Sequence, residues 1–175
     1  SEANMKQLQD LISSDFTEAK IDLDKSDWHA EIPNKPGWYF LATDTPLEIL
    51  KGLPAPPKTY ANEAGETKKC KNYNLGQRAR SLFDSPLIIS KLGITPVYSG
   101  MVKKLKDRAR EHTFGHRGTA ALALSNYSCL YKYNWSFYYL ENELKTSSKA
   151  SEKIMLKLGE EMWRANNGWP ILSAG

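Results

Sequence analysis

The sequence predicts an α+β fold: a small three-stranded sheet, mixed or antiparallel, flanked by helices, with a long insertion between its first two strands. Three observations predict it. Three short β-favouring runs, 38–43, 95–99 and 134–140, are rich in aromatic and β-branched residues. Two stretches, 101–113 and 149–165, repeat their apolar residues at helical spacing. Between the first two strand candidates, about 44–94 is polar and proline-punctuated, with Pro46, Pro54, Pro56 and Pro57 near its start.

A chain of 175 residues is long enough for one full core and too short for two comfortable domains. With 41% hydrophobic and 25% charged residues it reads as globular, not disordered. No apolar run approaches the length needed to cross a bilayer, and residues 1–20 lack the shape of a secretory signal. Cys70 and Cys129 alone make neither a disulfide framework nor a metal knuckle, so a cytoplasmic protein with two ordinary thiols is expected. The net charge of +4 is uneven: residues 1–32 carry −5 and the remainder +9. A basic body behind an acidic arm suits a polyanionic partner, although basic residues also serve simply to keep a domain soluble.

Met5, Leu8, Leu11 and Ile12 are spaced for a helix that residues 15–20 extend or follow, giving an acidic helical arm over 1–32 ahead of a main domain over 33–175. Pro33, Pro36 and Gly37 break the chain before the buried strand 38–43. Within the insertion, 48–51 and 79–83 suit a short strand or a helical turn equally well. The strand at 95–99 is expected to end at Gly100, with a helix from Met101 to about Thr113 packing through Val102, Leu105 and Ala109. A helical piece is expected at 120–124. The strand 134–140 alternates Trp135, Phe137 and Tyr139 onto one side. The last helix starts near a cap at Ser147, Ser148 or Ser151 and stops at Gly168 before Pro170.

The chemistry concentrates on the helix after Gly100. Lys104, Arg108 and His112 follow one another at i, i+4 and i+8, making a stripe beside the apolar face. A guanidinium donates two parallel hydrogen bonds to a phosphate, and an imidazole can pass a proton near neutral pH. The bland alternative is a solvated amphipathic helix.

Gly37-Trp38-Tyr39 precedes Tyr98-Ser99-Gly100, which precedes Arg108-Ala109-Arg110-Glu111-His112, and a carboxylate-bearing helix comes last. This order resembles the GIY-YIG nuclease family: a G-x-Y strand, a Y-x-G strand, a helix carrying R-x-x-x-H, and a helix bearing one metal-binding Glu. R-x-R-E-H resembles restriction-type members. The likeness covers 36–43 and 95–115 directly and the last helix loosely; the two tyrosine strands, usually joined by a short hairpin, are far apart here.

The resemblance implies a metal-dependent DNA endonuclease that hydrolyses phosphodiester bonds, in the manner of a restriction enzyme. Tyr39 and Tyr98 would be the paired phenols, one helping to deprotonate water. Arg108 would hold the phosphate, and His112 would orient a phenol or relay its proton. One Mg²⁺, or another divalent metal such as Mn²⁺, would sit on the Glu. Helix projection places Glu152 on the packing arc of Ile154, Met155, Leu156, Leu158, Met162 and Trp163, and apolar residues follow it three and four positions on, as in the family. Glu152 is therefore the expected ligand and Glu160 the alternative.

Lys104, Arg110, His116 and Arg117 are expected to touch DNA phosphates, with Lys68, Lys69, Lys71, Arg78 and Arg80 giving the insertion a basic character around Tyr73. Duplex cleavage by one site requires either a homodimer or two successive events. Two other readings compete: a non-catalytic nucleic-acid-binding module with a basic face, and a structural protein whose tyrosines are core.

Overall fold

In the computed structural model, which describes residues 2–82, 85–89, 93–116 and 118–173, the chain is α+β. Its main sheet is fully antiparallel and four-stranded, where the sequence predicts three strands. The strands are β1 (Thr17–Lys20), β2 (Gly37–Thr43), β5 (Thr95–Val102) and β6 (Trp135–Glu141), in the order β1-β6-β2-β5. The extra strand, β1, comes from the acidic arm expected to be helical. Only α1 (Met5–Ile12) is helical there; Thr17–Lys20 pairs with β6, and Glu18 accepts hydrogen bonds from Ser136 and Tyr138. A four-residue segment with no apolar alternation carries no strand signal of its own; the open edge of β6 supplies the pairing.

The two faces of the sheet bury different clusters. Tyr39 and Leu41 of β2, Tyr98 of β5 and Phe137 of β6 face one core with Leu105 and Ala109. Trp38 of β2 faces the other, against Leu8 and Ile12 of α1 and Met155, Leu156 and Trp163 of α5 (Lys149–Asn167). A central strand covered on both faces is expected to read as continuously apolar, as 38–42 does. Ser148 caps α5 by accepting from the Ser151 backbone N–H.

Three boundaries differ from expectation. β5 runs through Gly100 to Val102, because pairing with Gly37 and Trp38 extends it, and α4 begins only at Leu105 (Leu105–Phe114). Residues 120–123 are not helical; two short 3₁₀ turns follow at Leu124–Asn126 and Ser128–Leu130. Ile154, assigned to the packing arc of the last helix, is 62% exposed, and that face is Met155, Leu156, Gly159 and Trp163. Gly159 shifts the arc: a Cβ there would overlap the indole of Trp38, so helix and strand meet at that point.

The insertion is largely structured. It holds α2 (Leu47–Lys51), the hairpin β3 (Thr59–Ala61)–β4 (Thr67–Lys69) and α3 (Leu75–Ser81). The helical alternative thus applies at 48–51 and 79–81, while Phe83 lies outside the described residues. Leu50, Leu53, Leu75 and Ala79 are buried in the same core as Tyr39, so the insertion is part of the folded body. Cys70 and Cys129 are free thiols. Among the described residues no helix is long and apolar enough to cross a membrane.

Candidate active site

The tyrosine pair arises from strand register. Across β2 and β5, Tyr39 stands opposite Gly100 and Leu41 opposite Tyr98, so the two phenols are diagonal neighbours on one face. Their ring centroids lie 6.3 Å apart with planes at 24°. Gly100 makes room for Tyr39: a Cβ there would stand 2.5 Å from the phenol oxygen. More than fifty residues of intervening chain therefore do not separate Tyr39 from Tyr98 in space.

Helix α4 brings the basic residues to this pair. It packs on the sheet through Leu105, Ala109, His112 and Thr113, at i, i+4, i+7 and i+8. His112 thus lies on the apolar face itself, fully buried, and not on a stripe beside it. Its Nε2 is 2.8 Å from the Tyr39 oxygen, and its Nδ1 accepts from the Leu122 backbone N–H at 3.2 Å. A backbone N–H can only donate, so the imidazole is neutral, carries its hydrogen on Nε2 and donates it to Tyr39. Burial above all, with Arg108 and Arg78 nearby, holds the His112 pKa well below its ordinary value. His112 accordingly orients the phenol. The relay expected as its alternative role would need Nδ1 to pass a proton onward, and that atom is occupied by a main-chain donor.

Arg108 is the second donor to Tyr39. Its Nε reaches the phenol oxygen at 3.2 Å, while one terminal nitrogen donates to Glu111 at 2.9 Å and to the Ala120 carbonyl at 2.8 Å. The other terminal nitrogen makes no hydrogen bond among the described residues, leaving two N–H groups for a ligand. The Tyr39 oxygen thus receives two N–H donors, one of them charged. Burial pushes its pKa up to about 12, and the Arg108 charge opposes that rise. Burial also raises Tyr98, further helped by the neighbouring oxygens of Tyr39 and Tyr73. Tyr39 is the phenol that ionises at the lower cost.

Both carboxylates belong to α5, which packs on the face of the sheet opposite Tyr39. The charge of Glu160 contributes to raising the Tyr39 phenol pKa, whereas Glu152 lies in the first turn of the helix. Eight helical residues separate them, a displacement of about 12 Å. Glu160 Oε1 accepts from Lys157 at 3.1 Å and from Arg164 at 3.4 Å; Oε2 accepts no hydrogen bond among the described residues. Arg164 also donates to the side chain and the carbonyl of Ser99, both at 3.0 Å, and stacks over Trp169, which ties the Glu160 turn to the strand carrying Tyr98.

No group of three His, Cys, Asp or Glu residues that could hold a metal is present among the described residues. The uncommitted Oε2 of Glu160 fits a different arrangement, in which the protein gives a hard cation one oxygen and phosphate oxygens and water supply the rest.

The expected DNA contacts are placed unevenly. Lys104 caps the start of α4, and it, Arg110 and His116 are exposed; Arg117 lies outside the described residues. His116 forms a hydrogen bond to the Thr119 side chain at 3.0 Å. Lys68, Lys69 and Lys71 are exposed on and after the β3–β4 hairpin.

Sequence reasoning missed Arg164, and it placed Tyr73 and Arg78 only in the basic character of the insertion, not beside Tyr98. Arg164 had a usable signal, its i+4 spacing from Glu160. Tyr73 donates its backbone N–H to Ala121 and lies at the Tyr98 hydroxyl; Arg78 stacks on it. Their local sequence marks them as basic and aromatic but not as neighbours of Tyr98, because only the folded insertion carries them there. No family description, curated protein or solved structure matches this chain.

Proposed function

We propose that the protein is a metal-dependent endonuclease of the GIY-YIG type, hydrolysing phosphodiester bonds in DNA in the manner of a restriction enzyme. The observation that carries this reading is the Tyr39 oxygen, held by the N–H of His112 and of Arg108 beside a second phenol. Two donors, one cationic, lower the cost of a phenolate relative to a phenol that is merely buried. A core tyrosine needs one partner for its hydroxyl; this one is surrounded by donors.

In this reading Tyr39, as phenolate, takes one proton from the attacking water, whose oxygen bonds to phosphorus as the bond to the leaving oxygen breaks. The leaving alkoxide takes a proton from solvent, and Tyr39 returns its own to solvent to complete the turnover. Arg108 holds a non-bridging phosphate oxygen through its uncommitted terminal nitrogen, where negative charge builds up in the transition state. A divalent cation such as Mg²⁺ or Mn²⁺, held through Glu160, would supply charge neutralisation at the phosphate. The exposed Lys104, Arg110 and basic hairpin supply sequence-independent attraction to the DNA backbone. One site cuts one strand, so duplex cleavage calls for a homodimer or two successive events.

The test is nicking of supercoiled plasmid with and without Mg²⁺ or Mn²⁺. Cleavage is expected only with metal, and Arg108→Ala is expected to abolish it while salt-sensitive DNA binding persists. Binding without metal-dependent cleavage under any divalent cation would replace this reading by that of a DNA-binding module.

A further inference from the structure

Tyr73 and Arg78 belong to the segment that separates the two tyrosine strands. The Tyr98 hydroxyl donates to the Tyr73 hydroxyl across 3.4 Å, and their rings are 6.0 Å apart. The Arg78 guanidinium lies 3.6 Å above the centre of the Tyr73 ring and donates to the Leu172 carbonyl at 2.9 Å. The Tyr73 backbone N–H donates to the Ala121 carbonyl at 2.9 Å, one residue before the N–H that fixes His112. Ring, hydroxyl and backbone of Tyr73 are therefore each tied to the site.

A phenol has one hydrogen to donate and two lone pairs to accept with. Tyr39 has both lone pairs filled by protein donors. Tyr98 has the opposite balance: its hydrogen is committed to Tyr73, and its lone pairs receive no protein donor among the described residues. The two phenols thus differ in the direction of their hydrogen bonds, and the insertion sets that of Tyr98.

We propose that Tyr73 and Arg78 are positioning residues of the candidate site. Tyr73 engages the Tyr98 hydrogen so that the Tyr98 oxygen meets the attacking water only as an acceptor, and Arg78 holds Tyr73 in place. This rests on the nuclease reading. Water needs an acceptor for each hydrogen if its lone pair is to face phosphorus; Tyr39 takes one and Tyr98 the other. Without Tyr73 the Tyr98 hydroxyl is free to turn its hydrogen toward the water and misorient it.

The experiment is a double-mutant cycle on plasmid nicking under saturating metal, with Tyr73→Phe, Tyr98→Phe and the pair, and with Arg78→Lys and Arg78→Met. Tyr73→Phe is expected to lower kcat by about tenfold with KM unchanged, and to have little further effect when Tyr98 is already Phe. Arg78→Met is expected to lower kcat likewise, with Arg78→Lys recovering part of the loss. In parallel, ¹⁹F NMR of protein carrying 3-fluorotyrosine is expected to show the Tyr73 resonance moving in Tyr98→Phe, a readout independent of cleavage. Equal kcat for Tyr73→Phe and wild type, or a full additional loss in the double variant, overturns the proposal and leaves the nuclease reading standing. A wild-type protein that never cuts removes both.

Discussion

The Nε2–H of His112 donates to the phenol oxygen of Tyr39 across 2.8 Å, with both side chains buried. This bond fixes the tautomer of one residue and half the acceptor capacity of the other. The acid sensitivity of the fold and the pH dependence of cleavage both turn on it.

His112 makes the fold acid-sensitive. Its folded pKa lies well below the unfolded value, so the unfolded chain binds the extra proton first. The stability of the neutral, buried imidazole is fully present above about pH 6.5 and is lost progressively as pH falls below that. Denaturant midpoints between pH 7.5 and 5 should fall more steeply for wild type than for His112→Gln. Parallel curves would show that another group governs the loss.

Cleavage should rise with pH. The Tyr39 pKa is pushed up to about 12, so near neutrality the phenolate is scarce, and each unit of pH should increase it about tenfold. Log kcat is expected to climb with a slope near one from pH 6.5 to 9. Tyr39→Phe should lose that slope together with about 10²–10⁴ of the rate. It should also cost about 1–3 kcal/mol in urea unfolding, because the His112 N–H is left buried without a partner.

Two glycines should separate stability from activity. Alanine at 159 gains up to about 1 kcal/mol of helix propensity, yet its Cβ would overlap the Trp38 indole, and overpacking costs about 1–3 kcal/mol. Net destabilisation by urea titration is the expected result. At Gly100 the added Cβ meets the far end of Tyr39, so Gly100→Ala should displace the phenol and cut nicking far more than it lowers the denaturant midpoint.

The two carboxylates can be told apart directly. Glu160→Gln should lower Mn²⁺ affinity, read by electron paramagnetic resonance in the presence of uncleavable DNA, and reduce nicking by at least about a hundredfold. Glu152→Gln, at the far end of α5, should do neither. The reverse result would restore the assignment made from helix projection.

The amino-acid sequence by itself determined the α+β class, β2, β5, β6 and α5, and the order Tyr39, Tyr98, Arg108 and His112. These are local properties: aromatic runs such as 38–40, a 3.6-residue period in 149–165, and i+4 spacing on one helix are written in adjacent residues. β1 was not legible, because Thr17–Lys20 becomes a strand only against the free edge of β6. Nor was the insertion, since Leu50, Leu53, Leu75 and Ala79 become core only when α2 and α3 close over the sheet. The choice between Glu152 and Glu160 was not legible either: helix periodicity alone does not say which carboxylate charge is felt at Tyr39, and in the folded chain that of Glu160 is. Which atoms of Tyr39, Tyr98 and His112 donate and which accept was likewise decided by tertiary structure alone. It depends on the Leu122 N–H, the Tyr73 hydroxyl and the Arg108 Nε, groups that only the folded chain brings within hydrogen-bonding distance of them.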